Sequence, residues 1–468
     1  MAELRLPAGV DDYPAGDARD EGIAAPGAPR GLYAEVMAAL ADQDLVGLAR
    51  GIQSEAAARG INFGDGSPIG VDPVPRLIGG AEWERLEAGL VQRVRALNAF
   101  LLDAYGEQQI FAAGKVPWRL LETSPGYEPR LRGLLDPGVP PATVAGPDIV
   151  RDPAGTLLVL EDNLRMPSGS AYVAALRELV SEALPTALER RPLGSFATTL
   201  GEAIRSAAPS GDAAIAILSD GPRSGAWFEH QALGAALGAV VVVPGELELA
   251  AGELFARDGS GRRRIDVVYR RLDDERLSDE RGEPTPLGEL LLPAIESGRL
   301  RVLNAFGSGL ADDKLAHSYV ETMVGFYLGE EPLLHSVPSI DLSEIGARAE
   351  AIGRIDELVI KPRDGFGGRG VTIVSRAGAE ERDAIIAAIE REPEAFVAQE
   401  ALSISTHPTI CAGRLRPRRI DLRPFVVSGR DHCSAMPGGL TRFARGAGEL
   451  VVNSSRGGGC KDTWVVGP

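Results

Sequence analysis

Trp83, Leu86, Leu90, Val94, Leu97 and Leu101 recur at steps of three and four residues, a spacing that predicts one long helix with a buried face. Two shorter amphipathic stretches, near 31–41 and 43–59, predict helices ahead of it. Behind it, Pro/Gly punctuation over 124–141 gives way to apolar runs at 142–150 and 156–162. The turn Asp152-Pro153-Ala154-Gly155 joins those runs, so they predict a strand pair. Helices are expected near 171–183 and 195–207.

From residue 213 the pattern alternates. AIAIL reads as a strand, AWFEHQALGAALG as a helix and AVVVV as a second strand. DVVYRR and RVLNA read as later strands, and a helix is expected over about 312–327. Strands spaced by helices imply a small parallel, doubly wound sheet. From about 336 the short runs LVIKP, GVTIV, FVAQE, DLRPFVV and LVVNSS are separated by glycine-rich loops, which implies an antiparallel sheet. The fold class is therefore α/β combined with α+β. Residues 1–30, rich in Gly, Pro, Ala and Asp, read as a flexible tail.

Composition changes the picture in three ways. Hydrophobic residues make up 44% and charged ones 25%, as in a globular protein. The net charge of −17 removes the basic footprint that nucleic-acid binding needs. No apolar run approaches the roughly 20 residues of a membrane helix, and the opening MAELRLPAGVDDYPAGD lacks the order of a secretion signal. Cys411, Cys433 and Cys460 form neither a metal-ligand spacing nor a disulfide pattern. They read as packing residues in a reducing cytoplasm.

Lysine occurs only at positions 115, 314, 361 and 461, while arginine is abundant. A lysine kept in such a chain marks a place where a compact ammonium suits better than a planar guanidinium.

The strongest chemical signal is LVIKPRDGFGGRGV, residues 358–371. An apolar strand delivers Lys361, and Gly365, Gly367, Gly368 and Gly370 fill four of the six positions 365–370 in the turn that follows. Such a loop lets backbone N–H groups approach an anion closely, and the lysine adds a point charge for phosphate. It lacks the Gly-Lys-Ser/Thr ending of a Walker loop. In VLEDNLRMPSGS, Glu161 and Asn163 stand two apart at a strand end, so their oxygens share a direction. With Asp148 on the preceding strand they form a candidate oxygen set for Mg²⁺.

Gln399 and Glu400 end the strand FVAQE and could meet an adenine edge. Asp421 and Arg423 share one face of RRIDLRPFVV. Asn453, Ser454, Ser455 and Arg456 lead into a triple glycine, with Lys461 close behind.

Together these motifs resemble the ATP-grasp superfamily, and most closely its circularly permuted, glutathionylspermidine-synthase-like branch. Glutathione synthetase supplies the motif order for comparison. Lys314 in ADDKLAHSY looks like the first lysine of that pattern and Lys361 the second. Asp421/Arg423 look like its D-x-R strand and NSSRGGG like its substrate loop. Asp148, Glu161 and Asn163 look like its metal ligands, moved ahead of the lid.

The resemblance implies a permuted ATP-grasp core with a doubly wound pre-ATP-grasp domain. It divides the chain into the tail 1–30, N-terminal helices and metal strands over 31–190, the Rossmann-like part over 191–312, and the lid with the substrate loop over 313–468. It implies ATP and Mg²⁺, and an acyl-phosphate route joining a carboxylate to an amine or thiol with release of ADP.

In that scheme Lys314 and Lys361 hold phosphates, while Arg423, Arg456 and Lys461 act at the transferring group. Arg270 and Arg271 recognise a carboxylate, with Ser224, Asn453, Ser454 and Ser455 as substrate contacts. His230 and His407 are weaker candidates, for which a structural role is an equal alternative, and Lys115 reads as surface. No G-x-S-x-G or Cys/His nucleophile is present, consistent with catalysis by positioning and charge. A helical alpha-E-type protein is a partner implied by the resemblance alone. A non-catalytic ATP-binding subunit is the competing reading. A Rossmann oxidoreductase is disfavoured because SDGPRSGAWF lacks G-x-G-x-x-G.

Overall fold

A computed structural model of the chain describes residues 6–14, 16, 18–194, 196–209, 213–258, 261–272, 276–279, 281–363, 365, 370–450, 452 and 458–467. The candidate residues Gly367, Gly368, Asn453, Ser454, Ser455 and Arg456 lie outside this set.

The largest sheet has seven strands. Its order is Arg76–Gly79, Gly459–Val466, Leu440–Phe443, Arg414–Arg423, Asp148–Arg151 and Leu157–Glu161, with Thr406–Cys411 paired to Arg414–Arg423. The first pair is parallel and the rest are antiparallel. Gly459–Val466 is buried along its whole length, with Trp464 at its centre. The helix Gly80–Ala104 packs its Trp83, Leu86, Leu90, Val94, Leu97 and Leu101 stripe into the main core, as the periodicity requires.

The alternating segment forms a four-stranded sheet ordered Val240–Val242, Ile215–Ser219, Val267–Arg271 and Arg301–Leu303, all parallel. Helix Trp227–Leu237 makes the crossover between its first two strands and ends on Gly238, whose φ of +64° suits a residue without Cβ. A second four-stranded sheet, antiparallel, is ordered Ser339–Asp341, Phe396–Glu400, Leu358–Pro362 and Thr372–Ile373. Helices Ile345–Gly353 and Ala379–Arg391 contribute Ala351 and Ile389 to a separate small core with Leu358 and Ile360.

Several expectations are corrected. The described residues of 1–30 are packed rather than flexible: Val10, Tyr13 and Ile23 are buried. Buried Glu21 accepts both Nε and a terminal nitrogen of Arg76, at 2.9 and 2.7 Å, and also pairs with Arg151. A Gly/Pro-rich composition hid this because the anchoring is polar.

The strand expected over 142–150 splits into Val144–Ala145 and Asp148–Arg151, because Gly146 turns to bond Asn163 and Pro147 lacks an N–H. The helix expected over 312–327 breaks into Lys314–His317, Val320–Met323 and a wider turn, Val324–Leu328. There the Ser318 hydroxyl donates to Lys314 O, a local bond that competes with helix continuation.

Candidate active site

The three sheets meet around a cavity of about 940 Å³. Along Leu358–Pro362, Leu358 and Ile360 face the small core, so Val359 and Lys361 face the cavity. Lys361 is 7% exposed, yet none of the described residues makes a hydrogen bond or ion pair with its ammonium. Burial pushes its pKa down to about 8; Lys314 adds to the fall, while Glu161 and Asp148 oppose it.

Lys314 reaches the same cavity from the short helix Lys314–His317. Asp313 caps that helix and also grips Arg363 at 2.8 and 3.1 Å, tying the helix to the chain beyond Lys361. The Lys314 ammonium donates to Gly365 O. Gly370 has φ +69°, and a Cβ there would press on Pro362 at 2.9 Å. Two ammonium groups thus converge where the sequence placed a phosphate cradle.

Asp148 and Glu161 are register partners across the strand pair, and Asn163 follows two residues on. All three line the cavity, but their situations differ. Asp148 is taken by Arg423 at 2.7 and 2.8 Å and by Arg442 at 2.8 Å, which hold its carboxyl well below the usual range despite burial. Arg442 also pairs with Asp421 at 2.5 Å. Burial outweighs that pairing and raises the Asp421 carboxyl. Asn163 donates through Nδ2 to Gly146 O.

Every other acidic side chain of the lining has a protein partner: Asp162 holds Arg93, Asp312 accepts from Leu164 N, Asp313 holds Arg363 and Glu400 holds Arg354. Glu161 alone has no hydrogen-bond or ion-pair partner among the described residues. Glu161 and the Asn163 oxygen fit a hard divalent cation, whereas Asp148 fits only if its arginines let go. Among the described residues no three His, Cys, Asp or Glu side chains form a ready metal cluster.

The remaining candidates separate clearly. Arg423, Arg271, Ser224, His230, Gln399 and Glu400 line the cavity. Gln399 donates to Leu160 O and Ser339 Oγ. Arg271 is bound to Glu229 at 2.9 Å, to Pro167 O and to Ser168 Oγ.

Its neighbour Arg270 points away, as strand alternation dictates, bonding Asn304 O and Ala305 O with its guanidinium over Phe306. It is buried and, unlike Arg271, is not among the residues that line the cavity. Lys461 is likewise corrected. It is fully buried behind Cys460, paired with Asp72 and bonded to Pro408 O at 3.1 Å, and does not reach the cavity. His407 is buried between the Tyr33 hydroxyl and Pro408 O. Lys115 is exposed, as expected.

Sequence reading missed Arg442. The alternation of LTRF, with Leu440 and Arg442 sharing the cavity face beside the D-x-R strand, was the available signal.

Residues 75–444 match the model of the family described as circularly permuted ATP-grasp type 2. An uncharacterized protein of Mycobacterium tuberculosis is 38% identical over 462 residues, covering 96% of this chain and 84% of its own length. An uncharacterized protein of Synechocystis sp. is 39% identical, covering 85% of this chain and 84% of its own. A protein of Frankia alni named putative glutamate–cysteine ligase 2-3 is 41% identical over 428 residues. This alignment covers 88% of the present chain but only 49% of that protein. With the family model spanning most of its length and the mycobacterial relative aligned over 96% of it, the chain belongs to the circularly permuted ATP-grasp type 2 family.

Proposed function

We propose that the chain is an ADP-forming carboxylate–amine (or thiol) ligase that works through an acyl phosphate. The family and the ligase-named relatives support an ATP-dependent ligase. The observation that carries the reading is Lys361, a buried ammonium facing the cavity with no hydrogen-bond or ion-pair partner among the described residues. Burying an unpaired charge is costly, and an anionic ligand such as a polyphosphate would relieve that cost.

In this reading Lys314 and Lys361 hold the ATP phosphates, and the 339–400 sheet serves as a lid over them. The strand end at Gln399 and Glu400 borders the adenine. Glu161 and Asn163 would hold Mg²⁺, which supplies charge neutralisation to the phosphates when bound. Asp148 joins them only by giving up Arg423 and Arg442, and that exchange would free Arg423 for the transferring phosphoryl group while Arg442 keeps its pair with Asp421. The chain's own contribution is positioning and charge; the substrate amine brings the nucleophile.

The glutamate–cysteine ligase name belongs to a protein about twice as long as the matched region, so glutamate and cysteine do not transfer with it. The test is a carboxylate panel with Mg²⁺, ATP and hydroxylamine. ADP with hydroxamate supports the reading. AMP as product, or no nucleotide consumption with any acid, overturns it.

A further inference from the structure

Resting on that ligase reading, the apolar part of the cavity lining points to the body of the carboxylate substrate. Ser168 marks the path to it: its carbonyl accepts from Arg423 at 3.5 Å, and its hydroxyl accepts from Arg271 at 2.5 Å. Beyond Ser168 the wall is aromatic and aliphatic. Phe63 meets Tyr172 edge-on with ring centroids 5.7 Å apart, and Tyr172 OH bonds Asn62 O. Ile69 follows on the same hairpin, whose Gly64 N–H donates to Gly225 O. Leu440 closes the other side, where a Cβ on Gly169 would meet it at 3.1 Å.

Two titratable groups at this end, Glu229 and Arg271, neutralise each other, and the cations Arg165 and Arg276 also line the cavity. Glu229, fully buried, neutralises Arg271 and spends its remaining capacity on Gly169 N, Ala171 N and Ser170 Oγ at the start of helix Ser170–Ala183. His230 bonds Ser219 Oγ at 2.7 Å and is kept neutral by burial and the Arg271 charge. Arg276 stands at the exposed rim. The side chains of Phe63, Ile69, Tyr172 and Leu440 themselves offer a charged substrate body no counter-ion, while an apolar one would be desolvated against them.

We propose that the carboxylate substrate has an uncharged apolar body, an aryl or branched aliphatic monocarboxylic acid, seated against Phe63, Ile69, Tyr172 and Leu440. An amino acid or a dicarboxylate would set a charge against that apolar surface.

The test is calorimetric binding to the full chain with ADP and Mg²⁺ present, using phenylacetate and 3-methylbutanoate against glutamate, glycine and succinate. The apolar acids are expected to bind at least tenfold more tightly. Phe63→Ala, on a short surface hairpin, should weaken them by roughly tenfold, the usual effect of losing one apolar pocket contact, and Phe63→Leu should restore binding. ADP affinity, read in the same titrations, shows that each variant is folded.

Tighter binding of glutamate or succinate, binding of no acid, or indifference to Phe63→Ala overturns the inference. The two readings fail separately. Apolar acids that bind but give neither ADP release from ATP nor hydroxamate would support this subsite and remove the ligase. ADP release with glutamate alone would keep the ligase and remove the apolar subsite.

Discussion

Replacing Lys361 by methionine should stabilise the empty protein while destroying its nucleotide site. The side chain is 7% exposed and its pKa falls from an ordinary 10.5 to about 8, chiefly through burial. A folded value below the unfolded one means the charged lysine opposes folding. That cost is fully present below pH 8 and fades as pH rises toward 10.5. At about 1.4 kcal/mol per pH unit, the drop corresponds to about 3 kcal/mol at pH 7 and about 2 kcal/mol at pH 9.

Methionine has nearly the same length and no charge, so Lys361→Met should gain about that much in urea denaturation followed by circular dichroism. ATP binding by the same variant, measured calorimetrically, should be lost. In the parent, ATP affinity should hold up to about pH 8 and then weaken as the ammonium deprotonates. A variant less stable than the parent at pH 7, or one that binds ATP equally well, would refute the reasoning.

Three further outcomes follow from the same contacts. Glu161→Gln should leave metal-free ATP binding within a factor of about two and remove the gain in affinity that Mg²⁺ brings, since it deletes the one lining carboxylate without a partner among the described residues; an unchanged Mg²⁺ effect would remove Glu161 from the metal set. Lys461→Met should cost about 3–5 kcal/mol in urea denaturation, because it leaves Asp72 buried without its cation, while ATP affinity stays at the parent value. Glu21→Gln should cost about 3 kcal/mol at pH 7 by leaving buried Arg76 without a carboxylate among the described residues, while Arg151 keeps Glu82. Those arginines overcome burial to hold the Glu21 carboxyl at about 2, so the parent's advantage should shrink as pH falls from 4.5 toward 2.

What could be read from the chain depended on whether the signal was local. The Trp83–Leu101 stripe, the parallel strands after residue 213 and the strand carrying Lys361 each announce themselves within a dozen residues, and each forms close to its expected bounds. The convergence of Lys314, Lys361, Glu161 and Arg423 was reached through motif order, and one cavity brings them together.

The errors have two causes, strand alternation and pairing between residues far apart in the chain. Lys461 sits in a glycine-rich context that suits an anion loop, but strand alternation turns Cys460 toward the cavity and the lysine toward Asp72. Arg270 and Arg271 are adjacent in sequence and part by the same alternation. The N-terminal segment looked loose because its anchor, Glu21 on Arg76 and Arg151, joins residues far apart in the chain. The saturation of Asp148 by two arginines from other strands has no local sequence signature at all.

The central claim is that the carboxylate attacks the γ-phosphorus, and isotope transfer tests it most directly. A carboxylate that supports ATP consumption, labelled with ¹⁸O in both oxygens, is turned over with hydroxylamine, and the released phosphate is analysed by mass spectrometry. The account predicts ADP and orthophosphate carrying one ¹⁸O atom from each carboxylate consumed. Unlabelled orthophosphate, or AMP bearing the label, would contradict it.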